Sequence, residues 1–370
     1  MHRQTLNIDK CSVNGIEVSE SSEIPEKHVS VYPYFVRDSI PRLLDEELHS
    51  VIKKYDELCY YVGPERELYA SYTMLSFYHH MVPPEKFTQE NFKSASLLAW
   101  CLEMILTGFI LDDDVMDEHG YRWMRPAYYT LPGVNTKVVL ESKKLYLSAF
   151  HVLKKHFKNH MYYRQMLELL CRYIYETSFG QTIAFENPCQ FKRTRNLHLF
   201  CETTYRNLVR YKSAIPQYII PAYCAMYFVE INDFELRESF YEVFSKFGHF
   251  RTAQDDMWDI YGDYKVFGKT CTDIWGAKCT WPIIAAIKHA NKEQLILLKE
   301  NYGIKDEKCE NVVKSVFREL DLIQKFLSFK QNLLAEVERD IKCIPHEGIR
   351  KCCYEHIERF ISIEEKISYD

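Results

Sequence analysis

An all-α fold, a single large bundle of long helices, is what this sequence predicts. Apolar residues recur at helical spacing along nearly the whole chain. Only 12 glycines and 13 prolines punctuate 370 residues, too few for a many-stranded β fold. No alternating strand pattern persists. Residues 1–30 are polar and read as a tail. Residues 31–370 read as one domain, since no Gly/Ser linker or composition shift divides them.

The elements follow in order. VPPEK (Val82–Lys86) closes the first helical stretches, and an apolar run from Ala95 to Leu111 then enters DDDVMD. LPGVN (Leu131–Asn135) precedes a pattern through Leu145, Leu147, Phe150 and Leu153, which continues through Leu167, Leu170, Ile174 and Phe179. ENPCQ (Glu186–Gln190) and KENYGIK (Lys299–Lys305) read as further breaks. From Val312 to Ile341 one long amphipathic pattern is expected.

Composition excludes several classes. A net charge of −5 without a dense basic block argues against a nucleic-acid partner. Thirteen cysteines without CxxC pairs or zinc-type spacing read as reduced thiols in a cytoplasmic protein. The N-terminus has no apolar h-region, so it reads as neither signal nor transit peptide. The Ala95–Leu111 run carries Glu103 and ends in aspartates, a poor membrane span.

The chemistry lies in two aspartate clusters. In DDVMD, Asp113, Asp114 and Asp117 stand at i, i+1 and i+4, so Asp113 and Asp117 share a helix face roughly 6 Å apart. DDMWD repeats the spacing with Asp255, Asp256 and Asp259. Mg²⁺ takes oxygen ligands and usually holds phosphates through a few carboxylates. Acid at a helix C-terminus opposes the macrodipole unless a cation compensates. A lone DDxxD is more often a solvated helix end. Two copies, the first followed by Arg122 and Arg125 and the second by Lys265 and Lys269, favour a Mg²⁺-diphosphate site.

The stretches WCLEMILTGFILDDDVMD and QDDMWDIYGDYKVFGKTCTDIWGAKCTWP resemble the two aspartate-rich regions of farnesyl diphosphate synthases. The likeness extends to FGQT (Phe179–Thr182), YRNLVRYKSA (Tyr205–Ala214) and LLKENYG (Leu297–Gly303). It implies the trans-prenyl synthase (class I terpenoid synthase) fold around a central cavity, usually as a homodimer, with an allylic diphosphate as substrate and three Mg²⁺ ions. Carried over, Asp113, Asp117 and Asp255 are the main metal ligands, supported by Asp114, Asp256 and Asp259. Arg122, Lys212, Ser213, Lys269 and Lys278 bind the diphosphate, with Asp113, Asp117, Arg122, Lys212 and Lys269 the catalytic set. Gln181, Phe109 and Phe179 face the substrate, with Tyr205 and Trp258 as further aromatic candidates. Each of these aromatics, and Gln181, also reads as plain helix packing.

The sequence departs from that family where a second substrate, isopentenyl diphosphate, binds. PERELYAS places Glu67 where lysine is expected and Ala70 where arginine is expected; Trp123 replaces an arginine, Leu106 a glutamine, and EEKISYD a basic tail. Losing several charge-assisted contacts, each worth roughly 1.5–3 kcal/mol, weakens binding of a doubly charged group by orders of magnitude. The resemblance therefore extends to insect terpene synthases derived from farnesyl diphosphate synthases, makers of sesquiterpene pheromones. The expectation is a Mg²⁺-dependent sesquiterpene synthase converting farnesyl diphosphate to a bisabolane-type hydrocarbon or alcohol. A chain-elongating prenyltransferase with an altered isopentenyl site is the alternative, and a catalytically silent partner subunit a second. Gly108, five residues before the first motif, suggests a deep cavity.

Overall fold

The computed structural model describes residues 23–40, 48–262 and 272–364. Among them the only strands are a two-residue pair, so the all-α expectation holds. Helix α1 (Glu23–Ser39) begins inside the stretch read as a tail. Helices α2 (His49–Tyr61) and α3 (Tyr69–Met81) follow, and a short 3-10 turn at Pro84–Lys86 realises the VPPEK break.

Helix α4 (Gln89–Met116) is the axis of the fold. Thr88 caps it by accepting from Asn91 N at 3.1 Å, which satisfies one of the four orphan donors of the first turn. Its apolar residues are buried on all sides by α1, α3, α5 (Val138–Phe157), α6 (Tyr163–Thr194) and α8 (Ile220–Phe228). It is long and apolar enough to cross a membrane, but 89% of its most apolar stretch is buried inside the fold. A helix hydrophobic all round is a core helix when neighbours cover it.

Two boundaries differ from expectation. ENPCQ is not a break: α6 runs through Pro188, which is buried. Asn187 Nδ2 donates to Leu199 O at 3.0 Å, and packing outweighs the missing backbone donor. The amphipathic pattern from Val312 to Ile341 is two helices, α13 (Glu307–Glu319) and α14 (Leu322–Cys343), once α10 (Asp273–Gly276), α11 (Trp281–His289) and α12 (Lys292–Asn301) have preceded them. The chain turns at Asp321, whose φ of 50° is left-handed; apolar period alone carries no mark of such a corner.

The segment that positions chemistry is α7 (Glu202–Leu208), which continues into a π-helical stretch, Val209–Ile219, and on into α8. Widened π turns are rare and are frequent at functional sites. This one is gripped from two sides. A Cβ at Gly180 of α6 would lie 2.9 Å from Lys212 N, and a Cβ at Gly248 of α9 (Phe234–Tyr261) would lie 2.6 Å from Ala214 Cβ. Both glycines permit a backbone approach that no side chain allows. Gly180→Ala is therefore expected to push the Lys212 segment outward, costing about 1–3 kcal/mol by overpacking and lowering activity at least ~10-fold. Thermal melts and steady-state kinetics on the same preparation check it.

Candidate active site

Both aspartate motifs fall where their helices end. Asp113 and Asp114 sit in the last turn of α4 and Asp117 is its C-cap; Asp255, Asp256 and Asp259 occupy the last two turns of α9. Six carboxylates at the negative ends of two helices oppose both macrodipoles. Cations offset them. Lys212 Nζ donates to Asp113 Oδ1 at 2.7 Å, and Lys278 Nζ donates to Asp117. Arg122 grips Asp114 through Nε at 2.8 Å and Nη2 at 2.5 Å. The Arg122 guanidinium also feels the charges of Asp113 and Asp255, so the two motifs converge on one space.

Burial pushes the Asp113 carboxyl up, but Lys212, Lys278 and Arg122 together outweigh it and hold the group well below the usual carboxylate range. Asp113 is ionised throughout the physiological range. Ligand atoms of Asp113, Asp117 and His119 lie within 4.8 Å of one another. A cluster of that size suits a divalent cation held by oxygen donors, and the carboxylates bracket Lys212 and Lys278, cations that can turn to a phosphate when a metal takes their place.

Arg122 owes its aim to a hairpin. β1 (Tyr121–Arg122) pairs antiparallel with β2 (Arg125–Pro126), and the two turn residues, Trp123 (φ 52°) and Met124 (φ 61°), are both left-handed. Such two-residue turns favour glycine or asparagine, so tryptophan and methionine there store strain beside the site. Trp123 is held by Arg66, whose guanidinium lies 4.4 Å from its ring centroid.

The remaining candidates divide. Gln181 faces inward on α6 with Tyr173 and Thr177, one helix face at four-residue spacing; Gln181 Oε1, Thr177 Oγ1 and the Tyr173 hydroxyl are buried with no hydrogen-bond partner among the described residues. Phe109 joins that wall, its ring 6.5 Å from Tyr173 and 5.0 Å from Tyr146. Ser213 follows Lys212 in the π segment. Lys269 lies outside the described residues, as do Lys265 and residues 365–370 of the C-terminal tail.

Two expectations need correction. Phe179 does not face substrate: it is 52% exposed and packs on Tyr175. Asp256 is tied into the fold, its Oδ2 accepting from the Tyr205 hydroxyl at 2.6 Å and from Trp281 N at 2.8 Å. Burial and the nearby charge of Asp273 raise the Asp256 carboxyl well above its ordinary value. Gly108 does not deepen the cavity, because the Tyr146 ring fills the space beside it. Tyr146 is tethered through its hydroxyl to Asp112 Oδ2 at 2.9 Å, and Ser142 Oγ donates to Asp112 Oδ1 at 2.6 Å.

Near Asp255 and Arg251 stand residues that depart from the family pattern. The Glu67 carboxylate accepts from the Tyr69 hydroxyl at 2.5 Å. Three arginines lie in the same region. Arg66 pairs with buried Glu103 at 2.8 Å, Arg125 pairs with Glu65, and buried Arg251 stands within electrostatic reach of Glu67 and Asp255.

The polyprenyl synthetase family matches residues 62–320, spanning both motifs, the hairpin and the π segment. The chain belongs to the polyprenyl synthetase family. It is 30% identical to a farnesyl pyrophosphate synthase of Murgantia histrionica over 326 residues, covering 86% of this chain and 78% of that one. It is 29% identical to one of Nezara viridula over 86% of this chain and 78% of that one, and 28% identical to one of Homo sapiens over 79% and 69%. These relatives overturn the sesquiterpene synthase expectation, because the proteins that this polyprenyl synthetase family member resembles along most of its length are named as makers of a prenyl diphosphate. The expectation rested on charge lost at Glu67, Ala70 and Trp123, whereas buried Arg251, within electrostatic reach of Glu67, is positive charge in the same region.

Proposed function

We propose that the protein is a chain-elongating prenyltransferase, joining an allylic diphosphate to isopentenyl diphosphate. What carries the reading is the convergence of Asp113, Asp117, Lys212 and Lys278 on one space, in a chain whose relatives are named farnesyl pyrophosphate synthase. Asp113, Asp117 and Asp255 would hold three Mg²⁺ ions. Mg²⁺ supplies Lewis-acid stabilisation of the departing diphosphate.

The chain's own residues do the rest. Lys212, Lys278 and Arg122 release carboxylates and take up phosphate oxygens as negative charge develops. Phe109 and Tyr173 wall the hydrocarbon, and aromatic faces stabilise an allylic cation by about 2 kcal/mol or more when dry. The π bond of isopentenyl diphosphate attacks the allylic carbon, the allylic C–O bond breaks to release diphosphate, and a proton passes from the new chain to that diphosphate. Arg125 and Arg251 supply positive charge for the second diphosphate, in place of the lysine and arginine that Glu67 and Ala70 displace. The test is incubation with dimethylallyl diphosphate, isopentenyl diphosphate and Mg²⁺, with products read by mass spectrometry. Ten- or fifteen-carbon diphosphates are expected; hydrocarbons from farnesyl diphosphate alone, with no coupling, would overturn the reading.

A homodimer is part of this proposal. Leu147 of α5 (68% exposed) and Tyr175 and Phe179 of α6 (67% and 52%) lie on neighbouring helices with Leu140 and Phe185, an apolar surface of the kind that marks an interface. Light scattering is expected to give twice the 44.1 kDa chain mass, and Leu147→Glu is expected to return the monomer.

A further inference from the structure

A cavity of about 670 Å³ opens beside the second aspartate motif, lined in part by Tyr205 and Trp281, which both bond to Asp256. Its walls are aromatic. Tyr205 meets His249 at 5.4 Å between centroids, His249 meets Phe329 at 5.1 Å, and Trp281 meets Phe329 at 5.4 Å. At its mouth stand Lys288 and Lys325, with His289 beside them. Among the described lining residues the one carboxylate, Glu202, has Arg206 at 3.5 Å, so the rim is cationic. Burial lowers the His249 imidazole to about 4, leaving it a neutral wall at pH 7. Small-molecule sites have this volume, mostly apolar walls and a few convergent polar groups.

The walls are wired to the motif. Tyr205 donates its hydroxyl, and Trp281 its backbone N–H, to the same oxygen of Asp256, the neighbour of Asp255. Whatever seats against Tyr205 and Trp281 bears on the carboxylate that anchors the end of α9.

We infer that this cavity is a second ligand site, for a small amphipathic anion with an unsaturated or branched hydrocarbon body and one anionic head, and that its occupancy alters metal affinity at the aspartate motifs. The body lies among Tyr205, Trp281 and Phe329, and the head pairs with Lys288 and Lys325. Two oppositely directed equilibria share Asp256, so linkage requires that the anion and Mg²⁺ change each other's affinity by the same factor.

Farnesyl monophosphate is the probe, titrated calorimetrically with EDTA present so that the motifs carry no metal. One saturable site is expected. The surface charge reversal Lys288→Glu/Lys325→Glu is expected to weaken it at least ~10-fold, by loss of two charge-assisted contacts, and Ala285→Trp to block it by filling the cavity. In a second titration, saturating probe is expected to shift Mg²⁺ affinity several-fold, and Tyr205→Phe to reduce that shift while the probe still binds. Absence of saturable binding, or binding that survives both the charge reversal and the filled cavity, overturns the site; an unchanged Mg²⁺ affinity overturns the coupling. The EDTA titration needs neither metal nor turnover, so its outcome is independent of the prenyltransferase reading.

Discussion

Replacing Asp113 with asparagine is expected to lower turnover by roughly 10³-fold, the scale of loss for one preorganised charge contact, while the helical circular dichroism stays intact. The side chain stands in the last turn of α4 and, among the described residues, hydrogen-bonds only to Lys212. Removing its charge also relieves acid at a helix C-terminus. Metal-free melting is therefore expected to stay level or rise, whereas the stabilisation that added Mg²⁺ confers on the parent is expected to vanish. A variant that keeps normal turnover, or still melts higher with Mg²⁺, would place the metal elsewhere. Because the neighbouring cations hold the Asp113 carboxyl below its ordinary range, its ionised state persists as pH falls through 5, and it contributes no acid limb to the rate profile above that.

The second large effect is on stability. Glu103 lies fully buried in α4, pairing with Arg66 Nη1 at 2.8 Å and accepting from Ser71 N at 2.9 Å. Arg66 is itself buried, held further by Thr107, Val62 O and the face of Trp123. Glu103→Ala leaves a buried guanidinium without its counter-charge, which costs about 3–5 kcal/mol. Urea titration is expected to read that loss, together with loosening of the Trp123 hairpin that aims Arg122. Glu103→Gln keeps one acceptor oxygen but sets its NH₂ against either the Arg66 Nη1–H or the Ser71 N–H, and is expected to fall between the two. A Glu103→Ala protein as stable as the parent would mean that the pair is not buried as described.

Much of this was legible from residue order because local physics decided it. The i, i+4 spacing in DDVMD and DDMWD put carboxylates on one helix face, and the apolar run before each motif announced a buried helix. What stayed hidden depended on distant partners. Tyr205 and Trp281 reach Asp256 from segments far away in sequence, and no feature of DDMWD distinguishes the carboxylate they anchor from its neighbours. Tyr146 fills the space that Gly108 leaves, a matter of helix apposition. Phe179 carries the same apolar signal as Phe109, yet faces outward. Gly180 and Gly248 could be suspected only once the π segment was seen between them. Pro188 shows the limit of punctuation, since a buried proline sits inside α6 without ending it. His119, two residues after Asp117, was the signal most available and least used.

The central claim is that two diphosphates fit one site despite Glu67, Ala70 and Trp123. Calorimetric titration of isopentenyl diphosphate into the enzyme, already saturated with Mg²⁺ and an unreactive thiolo analogue of dimethylallyl diphosphate, tests it most directly. One isopentenyl diphosphate per chain is predicted, with affinity falling at least ~10-fold in Arg251→Leu as a charge-assisted contact disappears. No heat of binding at millimolar isopentenyl diphosphate would contradict the account.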